Sequence, residues 1–386
     1  MKNVVVIFTQ PIENNTSSMI RGRNIVNEIA RMQNRVVCYS PYPDVNSMYY
    51  DSNAKINSQI EIRRYGKTAK SGAVVSNEPK TLKQKLIGIV YKFYKGIDLF
   101  GSSIFCVKYK KQIAEEIGES NFDTMLSFSD PKTAHIIAGY CKKRNKKIHY
   151  IQQWGDPLTE DITNRSALPR RTKWHIEKKL LQRADEVYYV SPITLECQIK
   201  LFPRYSQKMK FLPTPCEEQN YSAAHRERIT IGYFGSYNLV ARDIRPLYEA
   251  ACSCQEFDFV FVGDSDVKLE NKDNIQIINR VAQGDLIKYM EQIDVLVCLM
   301  NSKGTQIPGK LYNYAGTNKE ILVIQDGDKG SEIRTFFEQY NRYTFVENKL
   351  PAIQEVLKNY ATKGIPARSC VDDFRVENIV TKLLSY

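Results

Sequence analysis

The chain has 386 residues, more than one hydrophobic core usually holds, and this length favours two domains. Apolar residues make up 42% of the sequence, which excludes an intrinsically disordered chain. The excess of 55 basic over 43 acidic residues predicts a surface that attracts an anion: nucleic acid, acidic lipid or a phosphorylated ligand.

The N-terminus and the cysteines indicate the cellular compartment. The first apolar run is too short for a signal peptide and indicates a buried strand. No stretch reaches the roughly 18 apolar residues that a membrane span needs. Nine scattered cysteines without a Cys-x-x-Cys pair fit a reducing compartment and contain no common zinc motif. These features predict a cytoplasmic protein that holds no metal.

Short β-branched runs alternate with helix-like stretches along the chain, which predicts parallel βα units. The first series of predicted strands comprises Val4–Phe8, Val36–Tyr39, Thr124–Phe128, Ile148–Gln152 and Glu186–Val190. The second series comprises Thr230–Phe234, Phe257–Val262, Ile275–Ile278, Val295–Leu299 and Ile321–Ile324. Because strands that are apolar throughout are covered by helices on both faces, each series predicts a Rossmann-like, doubly wound α/β domain.

A polar, proline-containing stretch separates the two series and sets the domain boundaries. We predict a first domain over residues 1–212, a linker over 213–228 and a second domain over 229–369. A last helix at about 370–386 is expected to pack back on the first domain. Ligands of such sheets bind at the carboxyl ends of the strands, so the expected site lies in a cleft between the domains.

Residues 127–162 contain two predicted strand ends that finish in Asp-Pro. Asp130 and Asp156 would lie on adjacent strands, where a carboxylate can act as a base or bind a sugar hydroxyl. Asp-Pro is also a common start of a turn, so a purely structural role is the alternative. His135 follows on a helix-like run, where a lone histidine is more often a packed residue than a catalyst.

Residues 231–250 join a predicted strand to a helix. Gly235 at the strand end lets a ligand approach the backbone, Ser236 follows it, and Arg242 would add a charge-assisted contact to a phosphate near the helix start. The alternative is an ordinary turn with solvated arginines.

Residues 301–316 follow the next predicted strand and suggest a second contact with the same anion. Gly304, Thr305 and Gln306 would form a loop, Pro308 would lie in a first helical turn, and Lys310 would lie within that turn. Backbone donors, the helix dipole and Lys310 would then meet at a phosphate. The alternative is a capped helix whose lysine points to water.

The region Lys67–Lys111 mixes lysines with apolar residues. An interfacial helix on an anionic membrane has this composition, and so does a helix packed on the first domain with a solvated face. No helix-turn-helix, zinc finger or RNP-like motif appears in the sequence, which argues against nucleic acid as the partner.

The order of these features resembles the GT-B fold retaining glycosyltransferases, the large group that includes bacterial polysaccharide and lipopolysaccharide enzymes. The resemblance covers nearly the whole chain. It is carried by the stretches SFSDPKTAHIIAGYCKKRNKKIHYIQQWGDPLT, RTKWHIEKKLLQRADEVYYVSPITLECQIKLF, GYFGSYN and IPGKLYNYAGTNKEILVI. The resemblance implies transfer of a sugar from a nucleotide diphosphate sugar to a glycan or lipid-linked glycan, without a metal or other cofactor.

The resemblance also implies roles for individual residues. Asp156 is implied to orient acceptor or donor hydroxyls, with Asp130 and His135 on the acceptor side. The donor diphosphate would contact Gly235, Ser236, Arg242, Gly304, Thr305, Gln306 and Lys310. The nucleoside would lie near Arg280, Val281 and Asn313. An N-terminal loop near the phosphates would contribute Ser17, Ser18 and Arg21.

The sequence departs from the group's pattern at several positions. Thr305 and Asn313 stand where members usually carry a pair of glutamates, and Ser236 stands where arginine is frequent. Gly155 and Leu158 replace an arginine and a tryptophan. These changes leave the identity of the donor open and make a non-catalytic GT-B subunit an alternative. A GT-B sugar-nucleotide epimerase is a further alternative among enzymes, but its active-site pattern is not found in the sequence.

Overall fold

A computed structural model of the chain describes residues 2–67, 98–162, 164, 166–221, 227–237, 239, 241–281 and 283–386. The chain divides into two compact units, Met1–Leu212 and Pro213–Tyr386. Most of the basic region Lys67–Lys111 lies outside the described residues. Within the described ranges, no helix is long and apolar enough to cross a membrane.

The first unit is built on a seven-stranded parallel sheet with the order β3-β2-β1-β4-β5-β6-β7. Its strands are β1 Asn3–Ile7, β2 Arg35–Pro41, β3 Glu61–Tyr65, β4 Thr124–Phe128, β5 His149–Trp154, β6 Glu186–Tyr189 and β7 Met209–Phe211. The described helices are α1 Ser17–Arg31, α2 Lys110–Gly118, α3 Thr133–Arg144, α4 Arg170–Arg183 and α5 Pro192–Leu201, with 3-10 turns at Gly101–Tyr109 and Pro203–Lys208. The strand order reverses between β1 and β4, which is where such sheets bind ligands.

The second unit has a six-stranded parallel sheet with the order β10-β9-β8-β11-β12-β13. Its strands are β8 Ile229–Phe234, β9 Phe257–Val262, β10 Ile275–Ile278, β11 Val295–Leu299, β12 Glu320–Gln325 and β13 Thr344–Glu347. The described helices are α6 Arg245–Ser253, α7 Gln283–Glu291, α8 Gly309–Ala315, α9 Gly330–Glu338, α10 Leu350–Lys363 and α11 Val376–Leu383, with a 3-10 turn at Asp372–Phe374. Two parallel α/β units confirm the predicted fold class.

Central strands of both sheets are buried along their whole length. Every residue of β4 and of β11 is buried, as the continuous apolar runs predict. Burial of the β-branched and leucine side chains on both faces of these strands is the main stabilising contribution. The sheets therefore give rigid edges on which the loops that follow each strand are held.

The stretch that precedes β8 and the 3-10 turn at Asp372–Phe374 both pack within the second unit. The backbone N–H of Gln219 donates to the carbonyl of Gly316 over 2.8 Å, and Cys216 N–H donates to the carbonyl of Phe374 over 2.7 Å. The Phe374 ring lies 5.0 Å from the ring of Tyr312. The predicted linker thus begins with residues fixed on the second unit, while the return of the last helix to the first domain stays a prediction.

Candidate functional site

Two glycines bring the ends of β8 and β9 into close contact in the second unit. Gly235 N–H donates to the carbonyl of Val262 over 2.7 Å, and Gly263 N–H donates to that of Ile278 over 3.0 Å. Gly263 has φ +154°, and a Cβ at this position would overlap the carbonyl oxygen of Gly235. Glycine is therefore required at this edge, because only backbone without a side chain fits between the two strands.

We expect Gly263→Ala to destabilise the second unit strongly. The substitution combines an unfavourable φ with a backbone overlap, and we expect a loss of about 3 kcal/mol or more in the free energy of unfolding. Gly364→Ala is the matched control, since Gly364 has φ +77° but no atom within 4 Å of the added Cβ. That change should cost about 1–2 kcal/mol. Equal losses in denaturant unfolding would contradict the close approach of the two strands.

Lys310 lies against the backbone of Gly235. Its Nζ is 2.6 Å from the position that a Cβ of Gly235 would occupy, so the ammonium takes the space that the glycine leaves. Burial, and then the charges of Arg242 and Arg280, lower the pKa of Lys310 to about 8. In the described part of the chain no carboxylate lies within 4 Å of this nitrogen. An anion bound here would relieve the mutual repulsion of the cations.

Arg242 ties the two loops of this edge together. Its Nε donates to Oδ1 of Asn301 over 2.9 Å, and its Nη1 lies 3.5 Å from the carbonyl oxygen of Ser236. Asn301 in turn donates to the carbonyl of Gln306 over 3.1 Å. Amide and carbonyl partners leave the guanidinium charge uncompensated, in contrast to Arg245, which pairs with Asp243. Arg242 and Lys310 thus form a positive edge that no described carboxylate neutralises.

The helix starts differ from the prediction. Arg242 precedes α6, which begins at Arg245, and Pro308 precedes α8 instead of lying in its first turn. α8 has seven residues, too few for a strong helix dipole. An anion at this edge would therefore be held by the side chains of Arg242 and Lys310.

The remaining predicted residues of the second unit surround this edge. Ser236 and Asn313 are exposed, Thr305 is half-buried, and Gly304 has φ +81° in the loop that holds Gln306. Arg280 follows β10 and pairs with Asp264 over 3.5 Å, with Val281 next to it. The charge of Arg280 also contributes to the lowered pKa of Lys310. Contact with a nucleoside stays a prediction for Arg280, Val281 and Asn313.

A charged cluster lies at the carboxyl ends of β4 and β5 in the first unit. Lys132 is 5% exposed, and its Nζ contacts Asp130 over 2.6 Å and Asp161 over 3.1 Å. Asp156 is half-buried beside them and makes no ion pair or hydrogen bond with its side chain in the described residues. Burial, and then the charges of Asp130 and Asp161, raise the pKa of Asp156 to about 6. Such a carboxylate can accept a hydrogen bond or a proton from a hydroxyl near neutral pH.

Arg21 lies inside the first unit instead of in an exposed loop, which corrects the prediction for it. α1 begins at Ser17, so Arg21 is on a helix, and its side chain is buried. Its Nε donates to Oε1 of Gln153 over 3.2 Å, and its Nη2 donates to the carbonyl of Ser129. The described contacts make Arg21 a support for the strand ends that carry Asp130 and Asp156.

Ser17 and Ser18 are the other two residues predicted for the N-terminal loop. Ser17 is exposed as the first residue of α1, and the half-buried Ser18 has its Oγ 3.5 Å from Oγ1 of Thr16. Both hydroxyls lie at the start of a 15-residue helix, where an anion is favourable. Their contact with donor phosphates stays a prediction.

His135 is a packed residue of the first unit. It is 0% exposed, its Nδ1 lies 2.7 Å from Oγ of Ser127, and its ring lies 4.5 Å from that of Trp154. Burial, and then the charge of Lys132, hold its pKa well below the usual range, so the ring is neutral. The prediction that His135 contacts the acceptor is therefore corrected. His135 is a core residue, because no part of its ring reaches the surface.

Lys132 and Asp161 are the site residues that the sequence prediction missed. Lys132 follows Asp130 by two positions, and Asp161 lies in a polar loop after β5. Only the tertiary structure shows that one ammonium joins the two loops.

No group of three or more His, Cys, Asp and Glu side chains in the described ranges could hold a metal ion. All nine cysteines are free thiols.

Two Rossmann-like domains with parallel sheets define the fold of the GT-B glycosyltransferases, and comparison with solved structures supports this class. Sucrose-phosphate synthase from Thermosynechococcus elongatus matches with a TM-score of 0.63 and 13% identity, over 99% of this chain and 97% of that one. A glycosyltransferase from Rickettsia africae matches with a TM-score of 0.61 and 12% identity, over 100% and 97%. Anabaena Alr3699/HepE in complex with UDP and glucose matches with a TM-score of 0.58 and 10% identity, over 99% and 95%.

No protein-family model and no curated protein matches the sequence. At identities of 10–13%, the structural matches establish the fold, which many reactions can share. Information about the reaction therefore lies in two groups of side chains: the positive edge of the second unit and the charged cluster at the carboxyl ends of β4 and β5.

Proposed function

We propose that the protein is a glycosyltransferase that takes a sugar from a nucleotide diphosphate sugar and transfers it to a glycan or lipid-linked glycan. The observation that carries this proposal is the positive edge of the second unit, where Lys310 and Arg242 have no described carboxylate partner. A diphosphate supplies the missing charge. The solved structure of HepE with UDP and glucose supports a nucleotide sugar as the ligand class, because that protein shares the fold.

The chemistry follows from where charge develops. Breaking the bond between sugar and phosphate leaves an oxocarbenium-like sugar and a diphosphate with an added negative charge. Lys310 and Arg242 would stabilise that charge without a metal. Asp156 would accept a hydrogen bond from a sugar hydroxyl, and Asp130, whose side chain is 41% exposed, would contact the same sugar. Retention of the anomeric configuration is part of the proposal, as is a role in bacterial surface polysaccharide synthesis.

The basic region Lys67–Lys111 supports a lipid-linked acceptor. Its described part contains Phe105, which is 66% exposed and is followed in the sequence by Lys108, Lys110 and Lys111. An exposed aromatic ring among lysines fits the interface of an anionic membrane. We propose peripheral contact at the inner face of the cell membrane, which would bring a lipid-linked acceptor to the enzyme.

Sedimentation with anionic vesicles tests this contact. We expect less Phe105→Ser protein than unchanged protein to sediment with the vesicles, whereas Met32→Ser, at an exposed residue, should sediment like the unchanged protein.

Thermal-shift measurement with UDP, GDP and dTDP and their sugars tests the donor site. A ligand that binds only the folded chain raises its melting temperature, and the shift grows with the logarithm of the ligand concentration above the dissociation constant. We expect a shift with at least one nucleotide sugar. Unchanged melting curves across all of them would overturn the donor site.

Arg242→Ala should weaken binding of the nucleotide sugar that gives the shift. Loss of one charge-assisted hydrogen bond corresponds to about 1.5–3 kcal/mol. Arg245→Ala is the matched control, because Arg245 is exposed, lies three residues away and pairs with Asp243. Calorimetric titration should show weaker binding for Arg242→Ala and unchanged binding for Arg245→Ala. Equal effects would indicate a general loss of positive charge instead of a specific contact.

A non-catalytic GT-B subunit is the second candidate. Thr305 and Asn313 provide no carboxylate where the related glycosyltransferases usually carry two. Asparagine can still hydrogen-bond a ribose hydroxyl, but without the strength of a charged acceptor. Transfer of labelled sugar by the purified chain distinguishes the candidates. Donor binding without transfer to any acceptor, including lipid-linked glycans, would favour the subunit.

A further inference from the structure

Lys132 occupies an unusual position at the carboxyl ends of β4 and β5. Its ammonium is almost fully buried and joins Asp130, on the loop after β4, to Asp161, on the loop after β5. Burial alone would lower the pKa of Lys132, but the two carboxylates outweigh this effect and raise it. Lys132 therefore stays positively charged at neutral pH.

We propose that Lys132 is a positioning residue: it fixes the two loops and offsets the charge of Asp130 and Asp161 beside Asp156, the carboxylate that contacts the sugar hydroxyl. This inference rests on the proposed function. Asp161 is 5% exposed, so its charge is costly without the ammonium. The Asp156 side chain makes no ion pair or hydrogen bond among the described residues. Its pKa is therefore set by burial and by the charges of the neighbouring groups.

The charged groups around Asp156 come from three elements. Asp130 and Lys132 lie on the loop after β4, Asp161 lies on the loop after β5, and Arg21 approaches from α1. Asp130 and Asp161 disfavour a negative charge on Asp156, whereas Lys132 and Arg21 favour it. Removing Lys132 leaves two carboxylates opposed by one cation. Asp156 should then hold its proton to a higher pH.

The buried carboxylate Glu177 completes the surroundings of Lys132. Glu177 lies on α4 and accepts hydrogen bonds from the backbone N–H groups of Leu158 and Thr159. These two donors stabilise the negative charge of Glu177. The charge of Glu177 is stabilised first by the Thr159 hydroxyl and these backbone N–H groups, and only then by the charge of Lys132. The two carboxylates that form ion pairs with Lys132 are Asp130 and Asp161.

The test measures the ionisation of Asp156 in the full chain by carbon NMR of labelled aspartate, with the signal assigned by its loss in Asp156→Asn. In Lys132→Met we expect the titration midpoint of Asp156 to rise by about one pH unit, because a neighbouring cation is removed. Lys132→Arg should restore the original midpoint. The acidic limb of the pH profile of sugar transfer should move to higher pH in Lys132→Met and should keep its original position in Lys132→Arg.

Two further variants keep the test decisive if Lys132→Met does not fold. Asp161→Asn should lower the midpoint, and the double change Lys132→Met with Asp161→Asn should bring it near that of the unchanged chain. A midpoint that stays constant in all folded variants would overturn the positioning role, even if the variants melt at lower temperature. If no donor supports transfer, the NMR midpoints still decide the inference, and only the proposed function is lost.

Discussion

Lys310→Met is expected to remove most binding of the nucleotide sugar and, at the same time, to stabilise the free protein. The ammonium lies against Gly235 without a described carboxylate partner, so an anionic ligand gains a charge-assisted contact from it. Losing that contact should weaken binding by about 2–3 kcal/mol, or about 30- to 150-fold. Calorimetric titration measures this loss.

The gain in stability follows from the low pKa of Lys310. Burial and the charges of Arg242 and Arg280 lower it to about 8, so the folded state binds this proton less tightly than the unfolded state. At pH 7 the charged lysine therefore destabilises the fold. We expect Lys310→Met to raise the free energy of unfolding by about 1–2 kcal/mol, a value reduced for partial exposure. Lys303→Met, at an exposed lysine of the same loop, should change neither property.

The pH dependence of binding provides a second measurement on the same residue. A bound diphosphate raises the pKa of Lys310, so binding is coupled to proton uptake once the pH exceeds about 8. Affinity should fall as pH rises from 7 to 10, and the fall should be smaller in Lys310→Met. A nucleotide sugar is the suitable ligand, because it lacks the terminal phosphate ionisation that occurs near pH 6 in a free nucleoside diphosphate. Identical profiles for both proteins would remove Lys310 from the site.

The central strands of both sheets could be predicted from the sequence. All ten predicted strands are present, and four have the predicted bounds: Thr124–Phe128, Phe257–Val262, Ile275–Ile278 and Val295–Leu299. The three missed strands, β3, β7 and β13, all lie at sheet edges. Edge strands pair on one side only and are less buried, so they lack the continuous apolar run that identifies a central strand. β3, with the sequence EIRRY, is an example.

The groups that lie together in the two sites could be predicted only in part. Glycine and proline at strand ends indicated the loops that carry Asp130, Asp156 and Gly235, because those signals are local. The partners of each charge come from distant parts of the chain and could not be predicted. Lys310 is 75 positions from Gly235 in the sequence, yet its ammonium lies against that glycine.

Gly155 shows how a local departure from a family pattern can have a tertiary explanation. The sequence pattern that this chain resembles has arginine at this position. Here Nη2 of Arg21 lies 2.8 Å from the place that a Cβ of Gly155 would occupy. The guanidinium from α1 thus fills the space beside the strand end, and a side chain at position 155 would collide with it. A guanidinium is therefore present at this strand end but comes from another element.

Asp156→Asn is expected to reduce sugar transfer by about 100-fold or more while leaving donor binding unchanged. The asparagine keeps the size of the side chain but cannot take a proton or a strong hydrogen bond from a hydroxyl. Because burial and the charges of Asp130 and Asp161 raise the pKa of Asp156 to about 6, transfer by the unchanged chain should rise with pH, with a midpoint near 6. This limb should be absent in Asp156→Asn.

Stability should change in the opposite direction to activity. A carboxyl group whose pKa is raised in the folded state destabilises the fold as pH rises from the unfolded pKa to the folded pKa, and the full cost is present at pH 7. Asp156→Asn should therefore be more stable at pH 7, by about 1 kcal/mol after allowance for partial exposure, and equally stable at pH 4. Glu160→Gln, at an exposed carboxylate four residues away, is the matched control and should leave transfer unchanged. A loss of transfer together with lower stability at pH 7 would indicate damage to the loop instead of removal of a functional carboxylate.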